Sequence, residues 1–575
     1  MKQILMIIIV AIFCLPLFGQ EINSFRNLST GGVLDDDADL AFDPIELNYL
    51  TGTRIFSNLS NFGGTDQILS NSGSQHLLLG IASDKCFIDH FNRAFLIKYY
   101  DYKTPGLIEY MIDPSGSMAY ATGEVDFTWQ EYSDVNVNGL YDRYTILQQH
   151  IQNMDYSKGM DIYLNLAYKL NEINRFGFKL GILNSETGHN RSSTGLLGFD
   201  PNSPNTNYRF MLQTLTEIDP SIPAYLAEDK KIGDFKTEQS FSNILTELAY
   251  GRTMNTYDLK AALEFRLIND KTIHDDTATE IEIRTNQAND YEMESYLIKL
   301  DEKGIHTALA LGVRKNLSTA AERKNSAYIS LGAGLGFLNL DVSDNETMAG
   351  DYTINGQFHN HDSYFMKQDG EKSGLEANAH LRINYPLNAK TYFGTGLLYH
   401  YSNSKQKGDF KYGMASTDST FSSANGAWAF TTALSSLMSG KTEHNYDSTT
   451  LSVPVGLEYW FTNNQHWAVR FGSVFTQHIS SVNELFRPEH VEPITIVETY
   501  ADGSEPYISY DDNEYLIDSE NRLSRSSSTT YCYGIGYKPS QNLQIDIMGI
   551  FDSSDTDLWN TDFFRNLRLA FSIRL

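Results

Sequence analysis

The last nine residues alternate without exception. Leu567, Leu569, Phe571, Ile573 and Leu575 fall on one side of an extended chain, and Arg568, Ala570, Ser572 and Arg574 fall on the other. Successive side chains of a strand point to opposite faces, so this segment has one wholly apolar face and one polar or small face. The pattern recurs along the chain. Leu375 to Tyr385 gathers Glu376, Asn378, His380, Arg382 and Asn384 on its polar side. Tyr257 to Leu267 sets Lys260, Glu264 and Arg266 against Leu259, Leu263, Phe265 and Leu267. Similar runs lie at 162–170, 176–182, 451–461, 467–475, 531–537 and 543–551. Most are about 9–11 residues long, the length that a tilted transmembrane strand needs. Strands of soluble sandwiches are nearer about 5–6 residues.

The connections carry an independent signal. Short links fall at 171–174, 254–256, 386–390, 462–465 and 539–542, with a slightly longer one near 317–324. Between them lie long polar stretches: 184–239, 271–303, 341–372, 404–448, 479–527 and 553–566. Short and long connections alternate strictly, as short periplasmic turns and long external loops do in outer-membrane barrels. The 35 Tyr, 32 Phe and 41 Gly against 14 Pro suit long strands with aromatic girdles. The expected fold is therefore all-β: a transmembrane antiparallel barrel of about 16 strands, within a range of 14 to 18, because closure needs an even number. Counting back from the C terminus, the earliest strands are 93–100, 124–131 and 144–154, which puts the 134–142 turn on the short-turn side.

Met1-Lys2 followed by the apolar run Ile4 to Phe18 reads as a secretory signal peptide over residues 1–19, ending near Gly19. The other reading is a membrane anchor, for which the run is short. No other stretch approaches a membrane helix. Residues 20–92 are expected to form an N-terminal plug with possible first strands, and 93–575 the barrel. The chain has 72 acidic and 44 basic residues, a net charge of -28. That balance speaks against nucleic acid, which needs clustered Lys and Arg, and fits a surface that draws divalent cations. Outside the leader, Cys86 and Cys532 are too few for a disulfide scaffold.

Two stretches resemble outer-membrane transport barrels of the FadL-like, long-chain fatty acid transporter type. One is Gly31 to Leu47, an acidic, Ala-containing segment before Phe42-Asp43-Pro44, where that family tends to have an aromatic-Asn-Pro unit. The other is Leu451 to Trp460, followed by His466 to Gly472 with Trp467 and Arg470. Together they cover about a tenth of the chain. The resemblance implies that residues 21–74 fold into the barrel as a hatch. The chain departs from that family in ending on Leu575 rather than an aromatic, and no fatty-acid site transfers to it residue by residue.

Lumen-facing candidates are Lys260, Glu264, Arg266, Glu376, His380, Arg382, Glu458 and Arg470. Mixed charges on inward faces suit either an aqueous channel, for which 16 strands leave room, or a salt-bridge ladder filling the barrel. Asp134, Asn136, Asn138 and Asp142 have the oxygen spacing of a calcium loop with Gly139 at the turn, but Thr145 stands where an EF-hand has Glu. A polar turn between strands fits the same residues. His359, His361 and Asp362 offer a further metal-type cluster, for which a polar loop is the plainer account. An enzyme is not expected: His380 shares its face with Glu376 and Arg382, away from the lipid. The functional reading is a passive channel or transporter for small solutes, hydrophobic ones among them, in the outer membrane of a Gram-negative-type bacterium. Outer-membrane lipid and a small-molecule solute are its expected partners, and calcium is the one cofactor suggested. The alternative is a structural or surface-interaction barrel whose acidic loops bind a partner or divalent cations.

Overall fold

The computed structural model describes residues 24–60, 75–84, 91–112, 117–133, 143–197, 211–212, 227–284, 290–317, 325–354, 358–422, 427–461, 466–500, 502–511, 519–552 and 568–575. The expected leader and the Asp134–Asp142 loop lie outside these residues. Sixteen strands close into a ring. The first half is β1 (Arg54–Ser60), β2 (Gln75–Ser83), β3 (Phe91–Pro105), β4 (Arg143–Lys169), β5 (Asn174–Leu197), β6 (Ala227–Met254), β7 (Tyr257–Arg284) and β8 (Asp290–Asn316). The second half is β9 (Tyr328–Ile354), β10 (Phe358–Asn388), β11 (Thr391–Ser422), β12 (Ala427–Trp460), β13 (Trp467–Val491), β14 (Ser519–Ser540), β15 (Leu543–Asp552) and β16 (Arg568–Arg574). Each pairs antiparallel with its chain neighbours, and β1 closes the ring against β16 from Arg54↔Arg574 to Ser60↔Arg568.

Closure works because both faces of each strand are specified. Leu263, Leu309 and Leu335 oppose one another across β7, β8 and β9 and face outward. Leu309 and Leu335 are half exposed, as are Phe265, Leu311, Phe337 and Phe471. These residues form a belt about ten residues tall, from Tyr257 to Leu267 on β7 and from Trp467 to Phe475 on β13. At the short-turn edge the belt is rimmed by aromatics: Trp467 stacks on Tyr537 at 4.2 Å, and Phe91 lies on Tyr168 at 4.8 Å. A belt about 25 Å tall with aromatic girdles is what a bilayer requires of a barrel exterior. The turns are tight at this edge. Asn255 sits at φ 54° in the two-residue link between β6 and β7, the left-handed geometry that Asn tolerates in hairpins.

Two expectations change. Where they are described, the long polar stretches are largely strand, so β10, β11 and β12 run 31, 32 and 34 residues. Pairing satisfies their backbone whether or not lipid surrounds them. At about 3.3 Å per residue and a tilt near 40°, the tallest wall rises roughly 80 Å, far beyond the belt. The His359–His361 stretch belongs to this wall, with His361 Nδ1 2.6 Å from Asp351 across the β9–β10 ladder.

The ring is also composed differently. Residues 144–154 and 162–170 are one strand, β4, and Glu124–Ser133 pairs only with its upper half, above the point where β3 leaves at Pro105↔Met154. The ring instead takes β1 and β2 from within residues 20–92. Phe56 and Leu78 sit on their inner faces, both buried, with Arg54 and Asn58 on either side of Phe56, so the two-faced pattern that marks the other strands is weaker there. Because β4 enters from the far edge, the strand ends Ser133 and Arg143 that flank the Asp134–Asp142 loop lie opposite the short turns, a correction to the side expected from counting.

Replacing Leu309 by Arg puts a charge at mid-belt and should cost about 2–4 kcal/mol of stability in the bilayer. Urea unfolding in lipid vesicles measures it; an unchanged midpoint would remove Leu309 from the lipid face.

Candidate functional site

Residues 24–50 lie inside the ring. They form helix α1 (Phe25–Ser29), helix α2 (Asp37–Phe42) and a 3-10 turn at Glu46–Tyr49. Ser24 caps α1, and Asp36 with Asp39 make a capping box on α2, so the acidic run is part of what makes such short helices form. Between the helices, Gly31 (φ 67°) turns the chain and presses against the wall.

The wall is shaped to receive it. Gly394, Gly456 and Gly472 stand opposite one another on the inner faces of β11, β12 and β13. A Cβ at Gly472 would lie 2.3 Å from the Gly31 nitrogen, and one at Gly394 2.7 Å from Val33. An inward glycine within a strand marks such a close approach, and this row is the sequence signal that went unread. Elsewhere the segment's Ala41, Phe42, Leu47 and Leu50 pack on Phe56, Leu78 and Leu96 of β1–β3. Asn165 of β4 donates to Ala41 O at 2.8 Å, and Gly177 of β5 lies against Pro44. Contacts therefore run the full circumference of the lumen.

Val33 and Leu34 also pack on Tyr392, Trp460 and Ala468, Ile45 on Ala249 and Ala262, and Phe25 on Met548 and Ala570; a further set of contacts is ionic. Arg382 Nη1 reaches Asp35 at 2.7 Å, Lys260 Nζ reaches Asp43 at 2.6 Å, and Arg54 Nε reaches Asp37 at 3.1 Å. At the centre, Arg26 bonds Glu458 at 2.8 Å. Glu458 also accepts from Arg470 Nε at 2.7 Å, and Arg470 Nη1 reaches Asp546 at 2.5 Å. Glu458 and Arg470 are 0 % and 1 % exposed. The chain ends where Gln544 donates to Asp36 and Asp546 at 3.0 and 2.8 Å. Buried charges persist only when paired, and each of these charges has an oppositely charged partner.

The other candidates sit higher in the lumen. Arg266 bonds Glu264 at 2.9 Å, and both Glu264 and Glu376 approach His306, at 3.8 and 3.2 Å. His306, on the inner face of β8, was not anticipated. His380 is exposed on the inner face of β10, opposite Leu398. Among the described residues, Glu124, Asp126 and His150 bring ligand atoms within 4.8 Å of one another, at the end of their strand pair away from Ser133 and Arg143.

Burial, with Asp35 close by, pushes the Asp39 carboxyl up to about 8 despite bonds from Ser24 and the Asp36 N–H. Burial would raise Asp43 too, but the Lys260 ammonium holds it down at about 2.

Fold and wall define the class: a transmembrane β-barrel of the outer-membrane type. No family model matches the chain, and no curated protein matches it. Solved structures similar to it include the ferric enterobactin receptor PfeA of Pseudomonas aeruginosa, at 9% identity and a TM-score of 0.27, covering 92% of this chain and 82% of that one. The Ralstonia pickettii toluene transporter TbuX is similar over 70% of this chain and 100% of its own, at 10% identity and a TM-score of 0.24. The ferric-catecholate import receptor Fiu of E. coli K12 shares 7% identity over 92% of this chain and 82% of its own, at a TM-score of 0.25. Likeness at these scores carries no argument about function, which rests on the geometry.

A carboxyl whose seated value near 8 exceeds its ordinary 3.8 must stay protonated in place, so seating of residues 24–50 weakens as pH rises from about 4 to about 8 and levels off above. Asp43, held low, acts oppositely and only below about pH 4. Protease cleavage within residues 24–50 should therefore quicken between pH 5 and 8.5 in the intact protein, and Asp39→Asn should flatten that rise. Glu458→Ala leaves two buried guanidiniums facing each other and should cost about 3–5 kcal/mol, read as loss of heat resistance of the folded barrel on gels.

Proposed function

We propose that this chain is a passive transport barrel for small solutes in the outer membrane of a Gram-negative-type bacterium, with residues 24–50 as its hatch. The observation that carries the reading is how the segment is held. It meets the whole circumference, yet much of its grip on β7–β13 is charge on charge: Asp43 to Lys260, Asp35 to Arg382, Arg26 to Glu458. The two part-exposed pairs, Asp43 with Lys260 and Asp35 with Arg382, exchange readily for water once the lumen hydrates, whereas an apolar core does not. The larger apolar contact, with β1–β3, lies next to the point where the segment joins β1. This arrangement suits a hatch that hinges on its apolar side and unlatches on its charged side. No catalytic step belongs to this reading, since His380 faces the lumen rather than the lipid.

The test is solute flux in liposomes. Because β1 begins at Arg54, the informative deletion removes only residues 24–50 and leaves the ring complete. Flux of a small sugar should rise clearly over that of the intact protein, because an unplugged 16-strand lumen is wide enough for an aqueous channel. A truncated barrel that inserts and stays sealed overturns the proposal.

A further inference from the structure

Above the hatch, a row of rings runs along the inner wall. His189, Phe235, His274, Tyr296, Tyr364 and Tyr412 follow one another from β5 to β11, with ring centres 5.5, 4.8, 5.5, 6.5 and 6.1 Å apart. All belong to inward positions: His274 lies opposite Thr237 on β6, Asp276 opposite Tyr296, and Met348 opposite both Tyr296 and Tyr364. His274 is buried; Phe235 and the three tyrosines each leave part of the side chain uncovered. The row keeps to two adjacent register levels across the strands. Strands of such barrels tilt by about 35–45°, so a path that follows the register slopes along the pore axis. The rings form an oblique track and not a level collar.

The track is set in negative charge. Glu346 on β9, 4 % exposed, accepts from the hydroxyls of Tyr296 at 3.0 Å and Tyr364 at 2.8 Å. A phenol that donates to a carboxylate has a more electron-rich ring face. Asp270, Asp276 and Asp344 occupy inward positions on the same stretch of wall, and the inward Lys372 is held by Glu302 at 2.8 Å. Electron-rich rings backed by carboxylates attract one chemistry in particular, a cation with apolar substituents.

We infer that this track binds organic cations, quaternary or alkyl ammonium groups, and leads them toward the hatch. The inference rests on the transport reading for its purpose, but the binding site stands on its own geometry.

The experiment is calorimetric titration of the full chain in detergent with choline, and with 3,3-dimethylbutan-1-ol, its uncharged isostere. Choline should bind at least about tenfold more tightly, the range of a desolvated cation–π contact. Tyr296→Leu with Tyr364→Leu should lose that difference. Tyr296→Phe and Tyr364→Phe, which keep the rings and leave less doubt about folding, should retain most of it, and Glu346→Gln should reduce it. Equal binding of the two ligands, tighter binding of a maltooligosaccharide, or unchanged choline binding in the double Leu variant overturns the inference. A protein that binds choline but passes no solute in liposomes, even without residues 24–50, overturns the transport reading and leaves the site. One that passes solutes yet shows no preference for choline does the reverse.

Discussion

Everything in this protein depends on the pairing of β1 with β16. Lipid offers no hydrogen-bond partner, so a sheet within it must leave no edge. Fifteen of the sixteen neighbour pairs join strands that follow one another round the ring; the last joins Arg54–Ser60 to Arg568–Arg574, across almost the whole chain. Once that seam exists, the inner faces converge on a lumen, and the polar side of every strand acquires a common environment. Residues 24–50 then have a wall to pair with on all sides.

Inside the lumen, charge pairing shares with apolar packing the work of holding residues 24–50. The run Asp35-Asp-Asp-Ala-Asp39 would repel itself in isolation. Here Asp35 and Asp37 meet Arg382 and Arg54, Asp36 receives Gln544, and Asp39 is kept protonated by burial. The same residues cap α2, so local helix formation and long-range seating draw on one set of side chains. The glycine row on β11–β13 complements this by letting Thr30 to Val33 approach backbone to backbone.

Much of this was legible in the sequence. The two-faced strands from Ile162 onward fixed class, direction and the polar identity of Lys260, Arg382 and Glu458, because lipid outside and water inside impose a period of two. What stayed hidden had physical causes. On β2 the inner face carries Leu78, Gly80 and Ala82, and on β1 Phe56 interrupts the inward polar row of Arg54 and Asn58, so neither strand shows the clean alternation of the later ones. The polar stretches read as loops because hydropathy reports lipid contact, whereas Thr, Ser and Tyr pair well in strands that stand in water. Partners such as Arg26 with Glu458, 432 positions apart, could not be matched before the ring was closed.

The wall is uneven in a way that bears on assembly. β10 to β12 exceed thirty residues, while β1 and β16 have seven each. Tall neighbours are joined by hairpins that can zip as soon as their turns form, since little chain separates their first paired residues. The seam must wait until both termini are present, and it then has seven described rungs, close to the six of β1–β2 and of β15–β16. Heat or force would accordingly part the cylinder among these short strands first, leaving the high hairpins as a curled but still hydrogen-bonded sheet.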